Sequence, residues 1–200
     1  MSDEQRQKLL DAGIELLSRK TFTEISMDQV AELSGFSKPM IYYYFENKEG
    51  YYRAVAGRLF DIAEGMLESV MQTDLPLREN LKRYVDMRLR MVEEQPGLVR
   101  AFLSILYDPN IGLLLDNARE RFDAMRADIL DPLFDRAVER GEIDPGTNRM
   151  LVLMMMNSTL IAHTLRMTAK LPCEIQLDPA GMVDILFDGI SPAGTDGRIQ

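Results

Sequence analysis

Residues 26–48, SMDQVAELSGFSKPMIYYYFENK, constrain the fold more than any other stretch, because they spell two short helices joined by a tight turn. Ser26 followed three residues later by Gln29 is a capping box: the hydroxyl takes one orphan backbone N–H and the amide reaches back to another. It opens a helix whose apolar positions are Val30, Ala31 and Leu33. Gly35 ends that helix, since glycine accepts positive φ without a Cβ penalty. Ser37 caps a second helix, with Pro39 in its first turn, where no intrahelical N–H is lost. Two short helices around a glycine-containing turn fit a helix-turn-helix, whose second helix enters the major groove of DNA.

At about 100° per residue, Ile41 and Phe45 share one face of the second helix and belong in the core. Pro39, Met40 and Tyr43 fall opposite, with Lys38, Tyr42 and Tyr44 on the flanks. A solvated helix would ordinarily carry Glu, Lys and Arg there. Aromatic bodies with hydroxyl tips suit phosphate hydrogen bonds and thymine methyls instead. The competing reading has the tyrosines packing against neighbouring helices.

Together with the amphipathic first helix KLLDAGIELLSRKTF, the stretch TEISMDQVAELSGFSKPMIYYYFENKEGYYRAV resembles the TetR family of transcriptional regulators, from about Gln5 to Val55. The run Gly35–Phe36–Ser37–Lys38, then Ile41–Tyr42–Tyr43, Phe45 and Asn47–Lys48–Glu49, carries the resemblance; beyond residue 55 it is architectural only. The resemblance implies that Ser26, Ser37, Lys38, Tyr42 and Lys48 touch the DNA backbone while Pro39, Met40 and Tyr43 face base edges. Tyr44 stands where the family most often has histidine and is counted with the DNA-binding residues. Thr21 replaces the glycine that usually ends the first helix, and Asp28 lies where some members place a basic or polar residue.

The chain holds 23 Lys/Arg against 32 Asp/Glu, a net charge of −9. Residues 1–50 alone carry −3, so phosphate neutralisation must rest on a few well-placed cations, helix N-termini and hydroxyls. The acidic balance argues against a membrane-surface or RNA-coating role. One cysteine excludes a disulfide framework or zinc-ligand spacing and fits a reducing compartment. The start MSDEQRQK offers no apolar signal-peptide core, and the run Met150–Met156 is too short to span a bilayer. The expectation is a cytoplasmic protein without a cofactor or metal.

The remaining pattern is helical, giving an all-α fold: a three-helix DNA-binding domain over residues 1–48, a connecting helix over 47–71, and a C-terminal ligand-binding and dimerisation domain over 49–190. Asn47 caps the connecting helix, whose stripe is Tyr51, Val55, Leu59, Ile62, Met66 and Val70. A break at 72–76 precedes a helix with Leu77, Leu81, Tyr84, Val85, Met91 and Val92. Pro96 opens the next, to about Tyr107. A segment from about Ile111 to Arg140 is kinked by Pro132 and stopped by Gly141. Further helices follow over about 147–170 and from Asp178–Pro179 to about Ile190. The tail SPAGTDGRIQ reads as disordered.

The helix around LVLMMMNSTLIAHTL is apolar over much of its circumference, and the last helix carries a second stripe. TetR-like proteins pair the corresponding helices into a dimeric four-helix bundle. Leu160, Thr164, Met182, Val183, Leu186, Phe187 and Ile190 are the interface expected here. A homodimer would set two recognition helices roughly 34–36 Å apart on a palindromic operator. The alternative is a monomer with a larger core. The middle helices would enclose a pocket for a small, largely apolar effector, with Met87, Met91, Phe102, Leu106, Phe122, Met125, Met154 and Asn157 as candidates and His163 fixing a polar group. Against this, methionine at helical spacing is commonly ordinary core, and a lone histidine is commonly a satisfied core residue. Cys173 has no partner cysteine for a redox switch. Gly50, Gly57 and Gly65 project to the polar face of the connecting helix and soften it, so that ligand effects reach the recognition helices.

A helical metalloenzyme would need several inward Glu and Glu-x-x-His pairs, which one histidine cannot supply. Nucleophilic catalysis lacks a credible base beyond His163. The reading is therefore a repressor released from its operator by ligand. The rival is a TetR-like DNA-binding protein without an inducer, acting in nucleoid organisation or through a protein partner.

Overall fold

The computed structural model describes residues 2–106, 120–121, 123–169 and 178–188, without the side chain of Leu106. Phe122, Cys173, Ile190 and the tail lie outside the described residues. No strand occurs among those described. The helices are α1 (Asp3–Leu17), α2 (Met27–Ser34), α3 (Lys38–Phe45), α4 (Lys48–Val70), α5 (Leu77–Glu94), α6 (Pro96–Leu106), α7 (Asp131–Glu139), α8 (Arg149–Thr168) and α9 (Pro179–Asp188).

Side-chain caps set most of the starts. Ser2 and Gln5 form a capping box on α1, and Asn47 Oδ1 accepts the Gly50 N–H at 2.7 Å to open α4. Asn148 caps α8 through the Leu151 N–H at 3.1 Å, and Asp178 accepts the Ala180 and Gly181 amides of α9. Ser37 departs from its expected capping role. It stands at the α3 cap position with extended backbone, but its hydroxyl makes no capping bond. Past α7, Glu142 N–H reaches Ala137 O and Gly141 N–H reaches Val138 O, a Schellman closure that stops the helix as expected. Pro132 acts less directly than its ring suggests: a π turn over Arg126–Leu130 immediately precedes α7, widening the ladder just where proline withdraws a donor.

The chain divides into two compact units, residues 1–69 with 90–130 and residues 70–89 with 131–200. In the first, Leu9, Leu10 and Leu17 of α1 pack with Val30, Ile41, Phe45, Tyr51, Val55 and Leu59 around one core. Ala101 and Ile105 of α6 close it. The core that supports the helix-turn-helix therefore extends well past residue 48. Gly13 permits the close approach of α1 and α4, since a Cβ there would lie 2.5 Å from Val55 Cγ2 and 2.7 Å from Tyr51 Oη.

In the second unit, Leu77, Leu81 and Val85 are buried with Leu133, Phe134 and Ala137, with Leu153, Met156 and Leu160, and with Val183. The α4–α5 turn folds around the fully buried Asn80, whose Nδ2 donates to Gln72 O (2.8 Å) while its Oδ1 accepts the Gln72 N–H (2.8 Å). Arg78 pairs with Asp184 and Asp188, and Arg149 with Asp131 and Asp135. Among the described residues, α8 is the one helix long and apolar enough to cross a membrane by length and composition; one face of it packs inward through Leu153, Met156, Leu160 and Thr164.

Candidate nucleic-acid interface

Helices α2 and α3 take their positions from the core outward. Ser26 and Gln29 exchange the capping-box bonds (3.3 Å and 3.0 Å). Because Ser26 Oγ accepts in that box, its own proton stays free to donate to a phosphate. Gly35 closes α2 at φ +75°, donating its N–H to Ala31 O at 2.9 Å. Val30 is fully buried, but Leu33 is 40% exposed. Its place inside is taken by Ser34, whose hydroxyl donates to Val30 O at 2.6 Å and so enters the core satisfied. The expected apolar role of Leu33 is thereby corrected.

Ile41 and Phe45 anchor α3 as expected, at 0% and 8% exposure. Tyr43 on the opposite face is 81% exposed, with Pro39 exposed and Met40 half-buried beside it. Tyr42 is exposed on the flank. Tyr44 differs: it packs against the core and meets Tyr43 edge-on at 5.2 Å.

The cations around the motif are individually seated. Lys38 Nζ pairs with Asp28 at 2.9 Å across the two helices, and that hydrogen bond raises the lysine pKa further. Lys48 Nζ stands 4.5 Å above the Phe22 ring, which stacks on Tyr52 at 4.0 Å. Lys8 Nζ lies 5.9 Å from Phe36. The Lys38–Asp28 pair and the Phe22–Tyr52 stack were not read from the sequence as part of the site. Lys38 and Asp28 lie ten residues apart on different helices, a spacing that no helical period marks.

The α3–α4 junction is strained. Glu46 adopts φ +62°, ψ −50°, and Asn47 N–H reaches Phe45 O at 2.6 Å in a γ-turn. This turns the Phe45 carbonyl into the first turn of α4, where a Cβ on Gly50 would lie 2.2 Å from it. Gly50 is therefore a packing requirement, not a softening residue. Gly65 is open, and Gly57 meets only Arg121, which donates to its carbonyl at 3.0 Å. Behind the junction Tyr51 donates to Leu9 O at 2.7 Å, and burial pushes its phenol well above the ordinary range.

The C-terminal candidates divide. Phe102 packs on the core of the first unit, to which Met91 and Met125 also belong; Met87, Met154, Asn157 and His163 belong to the second. Asn157 accepts a hydrogen bond from Tyr84 at 2.7 Å. Met154 is 58% exposed. Leu160, Thr164 and Val183 are buried within the chain, which removes them from any surface a second copy would meet, whereas Met150, Leu151, Met154, Met155, Leu165, Met167 and Ile185 are exposed. Met182, Leu186 and Phe187 are half-buried, with Arg78 stacked on Phe187.

Among the described residues the fold is all helical, and an exposed aromatic helix on a glycine-turned helix-turn-helix is a geometry suited to the major groove of DNA. Residues 9–55 match the model for bacterial regulatory proteins of the tetR family. The chain is 28% identical over 155 residues to the HTH-type transcriptional regulator RutR of Escherichia coli K12, covering 78% of this chain and 72% of RutR. It is 30% identical over 91 residues to the transcriptional activator FasR of Mycolicibacterium smegmatis, covering 46% and 42%. Among solved structures, a TetR family regulator from Marinobacter aquaeolei superposes with a TM-score of 0.75 at 20% identity, covering 94% and 95%. Bacillus subtilis FadR in complex with stearoyl-CoA does so at 0.72 and 18% identity, covering 93% and 100%. Residues 9–55 thus carry a tetR-type DNA-binding segment, and over 78% of its length the chain resembles a transcriptional regulator of the helix-turn-helix type.

Proposed function

We propose that the protein is a cytoplasmic, dimeric repressor that leaves a palindromic operator when a small, largely apolar effector enters its C-terminal domain. The observation that carries the reading is the outer face of α3: Tyr43, 81% exposed, stands beside Pro39 and Met40 on a helix pinned from behind by Ile41 and Phe45. Tyr43 offers an apolar ring and a hydroxyl tip together, which suits contact with base edges and thymine methyls. Pro39, Met40 and Tyr43 would meet base edges, and Ser26, Ser37, Lys38, Tyr42 and Lys48 the phosphates. Tyr44, half-buried, would serve chiefly to brace Tyr43. The uncapped Ser37 leaves the first amides of α3 open to a phosphate oxygen.

The exposed methionines and leucines of α8 support dimerisation through that face. Leu151, Met154, Met155, Ser158, Ala162 and Leu165 recur at helical spacing along it, and the small residues at its centre would let two copies of the helix approach closely. The FadR complex with stearoyl-CoA, a neighbour in fold, supports a ligand-responsive C-terminal domain. FasR carries the name of an activator, so activation is the second reading.

Binding of the purified protein to DNA upstream of its own gene, with and without extracted metabolites, tests the proposal. Saturable binding that metabolites weaken, with lower expression of a linked reporter in the protein's presence, is expected. Binding that no extract weakens would refute the inducer, and raised reporter expression would replace repression by activation.

A further inference from the structure

Within the second unit, a guanidinium lies in a hydrogen-bonded chain that contains no negative charge. Arg88 Nη1 donates to Tyr84 Oη at 2.9 Å, and Tyr84 Oη donates to Asn157 Oδ1 at 2.7 Å. Asn157 Nδ2 in turn donates to Leu153 O at 3.0 Å. The direction is fixed from the far end: a backbone carbonyl only accepts, so the amide presents Nδ2 to it and Oδ1 to the phenol. The phenol proton is thereby committed, and the phenol oxygen must accept from Arg88. All three side chains are half-buried.

Among the described residues, Arg88 has no carboxylate within ion-pair distance. Arg78 and Arg149 in the same unit each meet two carboxylates. The positions beside Arg88 on α5 are Tyr84, Val85, Met91 and Val92, and Asp86 falls on the opposite side of the helix. Helix α8, which supplies Asn157, has neither Asp nor Glu in its twenty residues. A half-buried guanidinium whose partner among the described residues is a neutral phenol is a ready place for an anion to join. Four of its five N–H donors and the second Nδ2 proton of Asn157 remain for a ligand. Ile161, one helical turn beyond Asn157, is a half-buried apolar side chain.

We infer that Arg88, positioned by Tyr84 and Asn157, binds the carboxylate of the effector, which is therefore an amphipathic small molecule with an acid head and an apolar body. The planar fork of arginine matches a carboxylate through two parallel hydrogen bonds. The inference rests on the ligand-responsive reading above and narrows its chemistry.

The test uses hexanoate, hexanamide and inorganic phosphate as probes on the full-length protein, following the arginine Nε–Hε resonances by NMR and the affinity by calorimetry. Hexanoate is expected to shift the Arg88 resonance saturably and beyond the other arginines, and hexanamide is not. Equal movement of all arginines, no movement, or a response to phosphate alone would each overturn the assignment. Arg88→Gln should weaken hexanoate by about tenfold or more and Arg88→Lys by less, since lysine keeps the charge but loses the fork; unchanged affinity in Arg88→Gln would overturn it. Should Arg88→Gln not fold, the wild-type resonances still decide. DNA affinity, measured in parallel, separates the two readings. Hexanoate held at Arg88 without any change in DNA binding would remove the inducer and leave the anion site. Release by a metabolite extract that acts equally on Arg88→Gln would leave the inducer and remove the anion site.

Discussion

Lys38, proposed to meet the DNA backbone, is a cation that an acidic domain already holds. Its ammonium is paired with Asp28 across the helix-turn-helix, so phosphate binding must compete with that carboxylate. Asp28→Asn should therefore strengthen binding to all duplexes, about three- to tenfold at low salt, with the gain fading as salt rises. Electrophoretic shifts over a salt series measure this, and weaker binding would mean that Asp28 is needed to place Lys38. The strained γ-turn makes a second claim. Alanine normally improves a helix relative to glycine by about 1 kcal/mol, but Gly50→Ala should destabilise by about 2 kcal/mol because its Cβ would strike the Phe45 carbonyl. A raised melting temperature would contradict this. Tyr51 adds a pH-dependent case. Tyr51→Phe loses the bond to Leu9 and should cost about 1 kcal/mol at neutral pH. The folded phenol titrates above its ordinary value of 10.0, so its contribution is complete below that value and declines as pH rises past it. Denaturant unfolding at pH 7 and above pH 10 should show the gap between wild type and Tyr51→Phe narrowing.

Among the elements, the helix-turn-helix was legible because its signals are local. The capping box, the glycine at positive φ and the 100° periodicity of α3 each act within one or two turns, and Ile41, Phe45 and Tyr43 lie where that periodicity puts them. Leu33 shows the limit: periodicity ranked it with Val30, but a serine that satisfies its hydroxyl on its own helix took the buried site instead. Gly50 was misread for a related reason, since the carbonyl that excludes a side chain comes from a turn whose conformation no residue in the sequence announces. Helix α8 was recognised as apolar over much of its circumference, but which side faces inward is decided by neighbours distant in sequence. Leu160 and Thr164 went inside, while Met154 and Met155 stayed out. That outer face carries a prediction for its element: Met154→Glu together with Met155→Glu should leave the fold intact and yield a monomer in sedimentation velocity. A species that still sediments as a dimer would place the interface elsewhere.

For the whole molecule, the proposed dimeric regulator needs a few residues of an acidic protein to supply sequence discrimination and two copies to deliver it with a spacing of one duplex turn. Selection of binding sites from a random DNA pool, carried out in parallel with wild-type protein and Tyr43→Ala, measures this most directly. The wild type is expected to enrich a palindrome with half-sites about one helical turn apart. Tyr43→Ala should retain general affinity but lose preference at one or two base pairs in each half-site, because the backbone contacts survive while a base contact does not. Enrichment of the same palindrome by Tyr43→Ala, with preference undiminished at every position, would contradict the assignment of the outer face of α3 as the surface that reads DNA.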